Sequence, residues 1–142
     1  VVGVSSQYDK ALEYAKELQK KYPMLEIVYV GHSQGGGEAA YCALNQGGKA
    51  YTFNPAGLSR ITTWKGKSQF SRYKDIHAYI FWNDLLNNLQ NVTPILQGVT
   101  LLPVDLTADG CIHYISDYKP KEESLAYYHG MQGILDYFGI VD

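Results

Sequence analysis

The amino-acid sequence predicts an α/β fold, an open and mostly parallel sheet with flanking helices. Three observations lead to this prediction. Segments with helical periodicity alternate with short strand-like runs, which is the order that builds parallel sheets. The first strand-like run, residues 26–30, is apolar and β-branched, as expected of a buried parallel strand. A glycine-rich turn then connects that run directly to a helical segment.

The composition limits the classes of protein to which the chain can belong. It has 142 residues, of which 46% are hydrophobic and 18% charged, and we expect a single soluble domain over residues 1–142. A net charge of −2 gives no electrostatic reason to expect a nucleic acid or an anionic membrane as a partner. We recognise no signal peptide and no membrane span, and the sequence leaves the compartment open.

The first helix is predicted from its termini and its apolar face. Ser6 and Asp9 have the spacing of a capping box, and Pro23 ends the helix. The side chains at helical intervals are Tyr8, Ala11, Leu12, Ala15, Leu18 and Tyr22. Because the chain opens directly on Val1, we expect that a preceding segment with further strands of the fold is missing.

The middle of the chain continues the alternation. Its predicted elements are the strand at 26–30, a helix at 36–46 rich in small residues, and strands at 50–53 and 76–82. Residues 58–74 are mixed and polar, with Trp64 and Phe70 embedded. We interpret this segment as a surface excursion, and a lid over an apolar cleft is the alternative.

The last third is predicted to hold a hairpin and a helix. Residues 99–106 and 111–115 are strand-like and are separated by the turn residues 108–110, which predicts a C-terminal β-hairpin excursion from the sheet. The final helix is predicted at 124–138, with apolar residues on one face.

The turn after the first strand matches a nucleophile elbow. Gly31-x-Ser33-x-Gly35 has the spacing of this motif, in which a serine lies on a strained bend between a strand and a helix. A side chain at either flanking glycine is expected to collide with the adjacent strand or helix. The serine then projects above the sheet at the amino end of a helix, where free N–H groups face developing negative charge. The alternative is a tight glycine turn with an idle serine.

These residues resemble a known family. Residues 30–36, Val-Gly-His-Ser-Gln-Gly-Gly, are similar to the G-H-S-L-G-G block of the class 3 lipases and their bacterial α/β-hydrolase relatives. The similarity continues through residues 50–57, in the place of that family's next strand and loop, although Gln34 replaces the usual leucine. The resemblance implies a sheet of the α/β-hydrolase type and a Ser-Asp-His triad that acts on carboxylic esters, often of lipids.

A histidine is needed to remove the proton from Ser33, since imidazole titrates near neutral pH. His129 is the preferred base because it lies early in the final helix, where the family places its catalytic histidine. His113 is the alternative, although a structural role within its strand is the ordinary interpretation. His77 lies mid-strand and in the wrong order along the chain. His32 is adjacent to the serine, and we expect it to pack or to make a supporting hydrogen bond.

The acid and the oxyanion donor follow from position. Asp84 lies just past the carboxyl end of the strand at 76–82, the edge of the sheet where functional groups gather, whereas Asp75 is at the opposite end. A helix N-cap is the alternative role for Asp84. The backbone N–H of Gln34 is the expected oxyanion donor, and the second donor is expected from a loop before Val1.

The sequence therefore predicts a serine hydrolase that cleaves carboxylic esters through an acyl-enzyme on Ser33. The expected partners are a small-molecule or lipid ester and the missing N-terminal segment. We expect no cofactor and no metal, and neither Cys42 nor Cys111 has metal-ligand spacing. An acyltransferase or thioesterase with the same triad, or a non-catalytic hydrolase-like binding module, remain the alternatives.

Overall fold

A computed structural model describes residues 6–58, 75–81, 110–115 and 124–140. The predicted α/β architecture is confirmed within these ranges. In chain order, the helices and strands are α1 Ser6–Lys21, β1 Val28–His32, α2 Ser33–Gln46, β2 Lys49–Phe53, β3 Ile76–Phe81, β4 Cys111–Ile115, α3 Leu125–His129 and α4 Met131–Phe138.

The described strands form one parallel sheet in the order β1-β2-β3-β4. Val30 of β1 lies opposite Tyr51 of β2, which in turn lies opposite His77 of β3. His77 lies opposite Cys111 of β4. Because all the pairings are parallel, the carboxyl ends of these strands meet at one edge of the sheet, where functional groups gather in open α/β sheets.

One face of the sheet is covered by α1 and α2. Small side chains on α2 let this helix lie close to the strands, and Gly36 packs against the ring of Pro55 just after β2. The core on this side consists of Leu12, Ala40, Tyr41, Ala43, Leu44, Ala50, Leu58 and Ile76. Burial of these apolar side chains provides the main driving force that holds the two helices on the sheet.

The other face is covered near its carboxyl edge by α3 and α4. Strand residues alternate between the two faces, so that Phe81 points toward α3 and α4 while Ile80 points away. The cluster on this side consists of Phe81, Ile115, Tyr127, Tyr128 and Ile134, with Phe53, Tyr79 and Met131 packed against it. The final helices are therefore fixed to the same edge at which β1 ends.

Three predictions about single elements need correction. The final helix was predicted as one segment, but it is two helices separated by Gly130. The strand Cys111–Ile115 was predicted to lie in an excursion from the sheet, but it is part of the central sheet, since it pairs in parallel with β3. The predicted partner of that hairpin, residues 99–106, lies outside the described residues.

The third correction concerns β1, which was predicted to be buried. Val28 and Val30 are 49% and 66% exposed. Among the described strands β1 pairs with β2 alone, and neither valine belongs to the apolar cluster that includes residues of α3 and α4. The strand also begins two residues later than predicted, at Val28, and ends at His32.

Two further predictions cannot be located in the structure. The predicted surface excursion lies almost wholly outside the described residues, except for Leu58, and so does Asp84.

No helix within the described ranges has both the length and the apolar character needed to cross a bilayer.

Candidate active site

Ser33 lies at the bend between β1 and α2. The strand ends at His32 and the helix begins at Ser33, whose φ of 52° is in the left-handed region that non-glycine residues rarely adopt. This is the strained conformation that the sequence predicted. A Cβ at Gly31 would overlap the carbonyl oxygen of Gly35, so the close approach of strand and helix requires a glycine at position 31.

The steric argument for Gly35 is wrong. A Cβ built at Gly35 meets no atom within 4 Å among the described residues. The crowded positions are instead the next two, because a Cβ at Gly36 would lie 2.8 Å from Pro55 Cβ and one at Gly37 would lie 2.6 Å from the Tyr8 hydroxyl. The glycines after the serine therefore serve contacts with α1 and with the segment after β2.

The hydroxyl of Ser33 faces an imidazole. Ser33 Oγ lies 3.0 Å from His129 Nε2, within hydrogen-bonding distance, and both side chains are partly buried. His129 is the last residue of α3, and the break at Gly130 places it at the carboxyl edge of the sheet. Two residues that are 96 positions apart in sequence are thus in direct contact.

The ring of His32 supports the Ser33–His129 pair through the main chain of His129. His32 Nε2 donates to the carbonyl oxygen of His129 at 2.6 Å, which fixes the proton of His32 on Nε2. Within the described structure His32 makes no side-chain cap to α2. The first N–H groups of α2, including that of Gln34, carry the partial positive charge of a helix N-terminus at the Ser33 bend.

His113, the alternative base, lies elsewhere. Its Nε2 is 3.1 Å from Nδ1 of His77, and its ring stacks on Tyr79 with centroids 4.7 Å apart. His113 is exposed on the face of the sheet, in the middle of β4. The structure therefore brings His129 to Ser33 and leaves His113 in an aromatic row on the sheet surface.

The remaining polar groups near Ser33 connect the two N-terminal helices. The side-chain amide of Gln34 donates to Gln7 of α1, and it lies 3.4 Å from Glu38 Oε1, one turn further along α2. No group of three or more His, Cys, Asp or Glu side chains within the described residues could hold a metal ion.

Sequence reasoning missed Asn54. This residue follows β2, is completely buried, and has a φ of 42°. Its side chain joins β3 to the end of α3, because Oδ1 accepts from the N–H of Phe81 at 3.0 Å and Nδ2 donates to the carbonyl of Tyr128 at 2.7 Å. The available signal was an asparagine directly after the strand next to the serine strand, at a position predicted only as a loop.

Cys42 lies in the middle of α2 and is buried. Burial raises the pKa of its thiol to about 11, and the charge of Glu38 contributes. Burial also raises the pKa of the neighbouring Tyr41, with contributions from Asp9 and Cys42. The thiol of Cys42 is therefore neutral at physiological pH and is not a nucleophile.

Comparison with known proteins identifies a family that matches this chain. Residues 1–122 match the Tle-like phospholipase domain, of the phospholipase-like class. The chain is also 31% identical over 122 residues to the extracellular phospholipase A1 of Serratia liquefaciens. That alignment covers 82% of this chain and 38% of the relative, so the chain spans well under half of the relative's length.

Proposed function

The chain belongs to the family of Tle-like phospholipase domains, and on that premise we propose that it hydrolyses carboxylic esters of phospholipids through an acyl-enzyme on Ser33. The observation that carries the proposal is the 3.0 Å separation between Ser33 Oγ and His129 Nε2. It is supported by the backbone strain at Ser33 and by the N-terminus of α2 at the same bend.

In the first half of the reaction, Ser33 Oγ attacks the ester carbonyl carbon while His129 Nε2 takes the hydroxyl proton. The carbonyl oxygen becomes an oxyanion, which the backbone N–H of Gln34 stabilises at the start of α2. Collapse of this intermediate breaks the bond to the leaving alcohol oxygen. That oxygen receives the proton from His129, and the fatty acyl group stays on Ser33 as an ester.

In the second half, water attacks the acyl ester. His129 Nε2 takes a proton from the water, and the second tetrahedral intermediate collapses with the Ser33 oxygen as the leaving group. The proton returns to Ser33 Oγ, so that the products are one fatty acid and one lysophospholipid. No cofactor is needed to balance these steps.

For His129 Nε2 to accept a proton, the ring must carry its own proton on Nδ1. We assign Asp84 the role of the carboxylate that holds it there and that stabilises the imidazolium formed during each step. The assignment rests on the position of Asp84 in sequence, three residues after the last residue of β3. The carboxyl edge of β3 lies beside α3, because the backbone N–H of Phe81 and the carbonyl of Tyr128 both bind the side chain of Asn54.

We propose a phospholipid as the substrate because the matching family and the matching relative are both named as phospholipases. The relative is named for phospholipase A1 activity, which predicts cleavage at the sn-1 ester. A phosphatidylcholine with different acyl chains at its two positions distinguishes the bonds, since mass spectrometry of the released fatty acid identifies the ester that was cleaved. The same assay with an added alcohol or thiol acceptor detects acyl transfer in place of hydrolysis.

The first test replaces the nucleophile. Ser33→Ala should abolish labelling by a fluorophosphonate probe and lower hydrolysis of p-nitrophenyl esters by at least about 10⁴-fold. The probe itself identifies the labelled residue in the unmodified protein, by mass spectrometry of peptides. Undiminished hydrolysis by Ser33→Ala contradicts the assignment, and an unreactive Ser33 in the longest native protein favours a non-catalytic binding module.

The second test compares the two candidate bases. His129→Gln should lower kcat by about 10⁴-fold, because Ser33 loses its proton acceptor, whereas His113→Gln should leave kcat within about twofold. The two substitutions are chemically identical, so they serve as controls for each other. The reverse ranking would move the role of base from His129 to His113.

A further inference from the structure

Asn54 is a buried residue whose polar atoms contact two elements, β3 and α3. Its side chain is 0% exposed. Nδ2 donates to the carbonyl of Tyr128 at 2.7 Å and lies 3.3 Å from the carbonyl of His129, while Oδ1 accepts from the N–H of Phe81. The backbone N–H of Asn54 also donates to the carbonyl of Tyr79. The side chain is thus fixed relative to β3 and holds the last carbonyls of α3.

The two residues after Asn54 contact the serine side of the site. The N–H of Ala56 donates to the carbonyl of Ser33 at 2.8 Å, and Pro55 packs against Gly36 in the first turn of α2. Residues 54–56 therefore hydrogen-bond to both members of the pair, to the main chain of Ser33 through Ala56 and to the main chain of His129 through Asn54. We refer to these three residues as the bracket.

The end of α3 needs external hydrogen bonds. The helix has five residues, and its last carbonyls have no partners within it because an α-helix leaves its final four carbonyls unpaired. A helix this short is not stable by itself in water. Donors that bind its carbonyls therefore help to fix where the imidazole of His129 lies, and Asn54 and His32 are two such donors among the described residues.

We propose that Asn54 is a positioning residue that holds His129 at hydrogen-bonding distance from Ser33, with the bracket setting the separation of the two side chains. The inference rests on the proposed function of this pair. It assigns to the segment after β2 a role in catalysis that acts through the main chain of the base. His32 acts in the same way, because its ring donates to the carbonyl of His129.

The test replaces the donor and keeps the shape. Asn54→Asp retains an oxygen that accepts from Phe81, but it places a second, acceptor-only oxygen against the carbonyl of Tyr128. Displacement of the base by about 1 Å is expected to lower kcat by roughly 10- to 100-fold, with KM within about twofold. A crystal structure of this variant should show a longer separation between Ser33 Oγ and His129 Nε2.

A matched control is present in α2. Asn45 Nδ2 donates to the carbonyl of Tyr41 at 2.8 Å, so it also binds a helix carbonyl through its amide. It lies twelve residues from Ser33 along the helix, a distance of about 18 Å. Asn45→Asp should leave kcat and KM unchanged.

A second pair of variants covers the case in which Asn54→Asp does not fold. His32 is only partly buried, so its replacement is tolerated more easily. His32→Leu should lower kcat by about tenfold, whereas His32→Gln should retain most of the activity, because glutamine keeps an N–H donor for the His129 carbonyl. Rescue by the variant that keeps a donor separates positioning from packing.

The outcomes distinguish the inference from the proposed function. If Ser33 of the unmodified protein is labelled by the fluorophosphonate and folded Asn54→Asp keeps its kcat, the inference is wrong and the proposed function stands. Equal activity of His32→Leu and His32→Gln also contradicts it. If Ser33 of the unmodified protein resists the probe, the proposed function and the inference fail together. Ser33 and His129 are then not a catalytic pair, and Asn54 has no base to position.

Discussion

Ser33 and His129 are held mainly through their backbones. The strained φ of Ser33 is maintained by the close packing of Gly31 against the main chain of Gly35, and the carbonyls of both catalytic candidates receive hydrogen bonds from Ala56, Asn54 and His32. Fixing the backbone limits the number of arrangements that the two side chains can adopt. Such preorganisation favours a reaction that needs the hydroxyl and imidazole in one geometry.

The proposed acid is tested with two aspartates, one that precedes β3 in the sequence and one that follows it. Asp84→Asn should lower kcat by about 10⁴-fold, because the amide cannot hold the proton of His129 on Nδ1 or stabilise the imidazolium. Asp75→Asn, at the amino end of β3, should leave kcat within about twofold. Ester hydrolysis by the two variants is the measurement. Similar kcat values for both would remove Asp84 from the mechanism and restore its interpretation as a helix N-cap.

Cys42 gives a pH dependence of stability with a defined sign. Its folded-state pKa of about 11 lies above the ordinary value of 9.0, so the unfolded chain loses this proton first as the pH rises. Below about pH 9 the neutral thiol does not change the pH dependence of stability. Between about pH 9 and pH 11 the free energy of unfolding should fall by roughly 2 kcal/mol because of this group. Urea unfolding at several pH values measures it, and Cys42→Ala should show a shallower decline. Parallel declines would contradict this role.

At the residue scale, the sequence predicted the groups that side-chain chemistry makes recognisable. The strain at Ser33 was predicted because a glycine-flanked serine between a strand and a helix is typical of a nucleophile elbow, and His32 was expected to make a supporting hydrogen bond. Asn54 was not predicted. Its partners are backbone groups of Phe81 and Tyr128, and no pattern of side chains marks a residue that binds main chain far away in sequence.

At the scale of elements, α2 shows how the serine bend is supported. Residues 36 and 37 near its start are glycines, because a Cβ at Gly36 would lie 2.8 Å from Pro55 Cβ and one at Gly37 would lie 2.6 Å from the Tyr8 hydroxyl. The sequence placed the start of this helix at residue 36, directly after the motif at 31–35, whereas the helix begins three residues earlier, at Ser33. The last three residues of that motif therefore belong to the helix.

A pair of glycine substitutions tests this account of α2. Gly36→Ala should reduce the free energy of unfolding by about 1–3 kcal/mol, because the new methyl group would lie 2.8 Å from Pro55 Cβ. Gly35→Ala meets no described atom within 4 Å and should keep or raise stability, by up to about 1 kcal/mol. Urea unfolding of both variants is the measurement. A greater loss for Gly35→Ala would refute the proposed packing.

The break between α3 and α4 was also not predicted from the sequence. The apolar periodicity runs through Gly130 without interruption, and one glycine in a helical pattern is commonly tolerated. In the structure α3 ends at His129, and the hydroxyl of Tyr127 donates to Asp136 of α4 at 2.5 Å across the break. Tertiary contacts of this kind determine where the helix ends, and periodicity does not report them.

At the scale of the whole molecule, the parallel sheet gathers the candidate site at one edge. The order of helices and strands was enough to predict the sheet, since alternation of this kind builds parallel sheets covered by helices. The parallel pairing of Cys111–Ile115 with β3 was not predicted, because the turn residues before β4 indicated only a hairpin neighbour, residues 99–106, which lie outside the described residues. Strand neighbours are long-range contacts that local turn chemistry does not determine.

The exposure of β1 predicts how the isolated chain behaves in solution. Val30 is 66% exposed on a strand that pairs with β2 alone among the described strands, so an apolar side chain faces solvent on the edge strand of the described sheet. Edges of this kind promote association of chains. We expect self-association of the isolated chain that increases with concentration. Val30→Lys should weaken it at least about tenfold, since burial of a valine contributes about 1.5 kcal/mol or more.

The control for this prediction is another exposed apolar residue. Met24 is 92% exposed and lies in the connection between α1 and β1, outside the strand. Met24→Lys changes charge and hydrophobicity in the same direction as Val30→Lys, but it leaves the edge of β1 unchanged. Sedimentation over a concentration series should therefore show weaker association for Val30→Lys and unchanged association for Met24→Lys. Equal effects of the two substitutions would mean that general hydrophobicity, and not the edge of β1, brings the chains together.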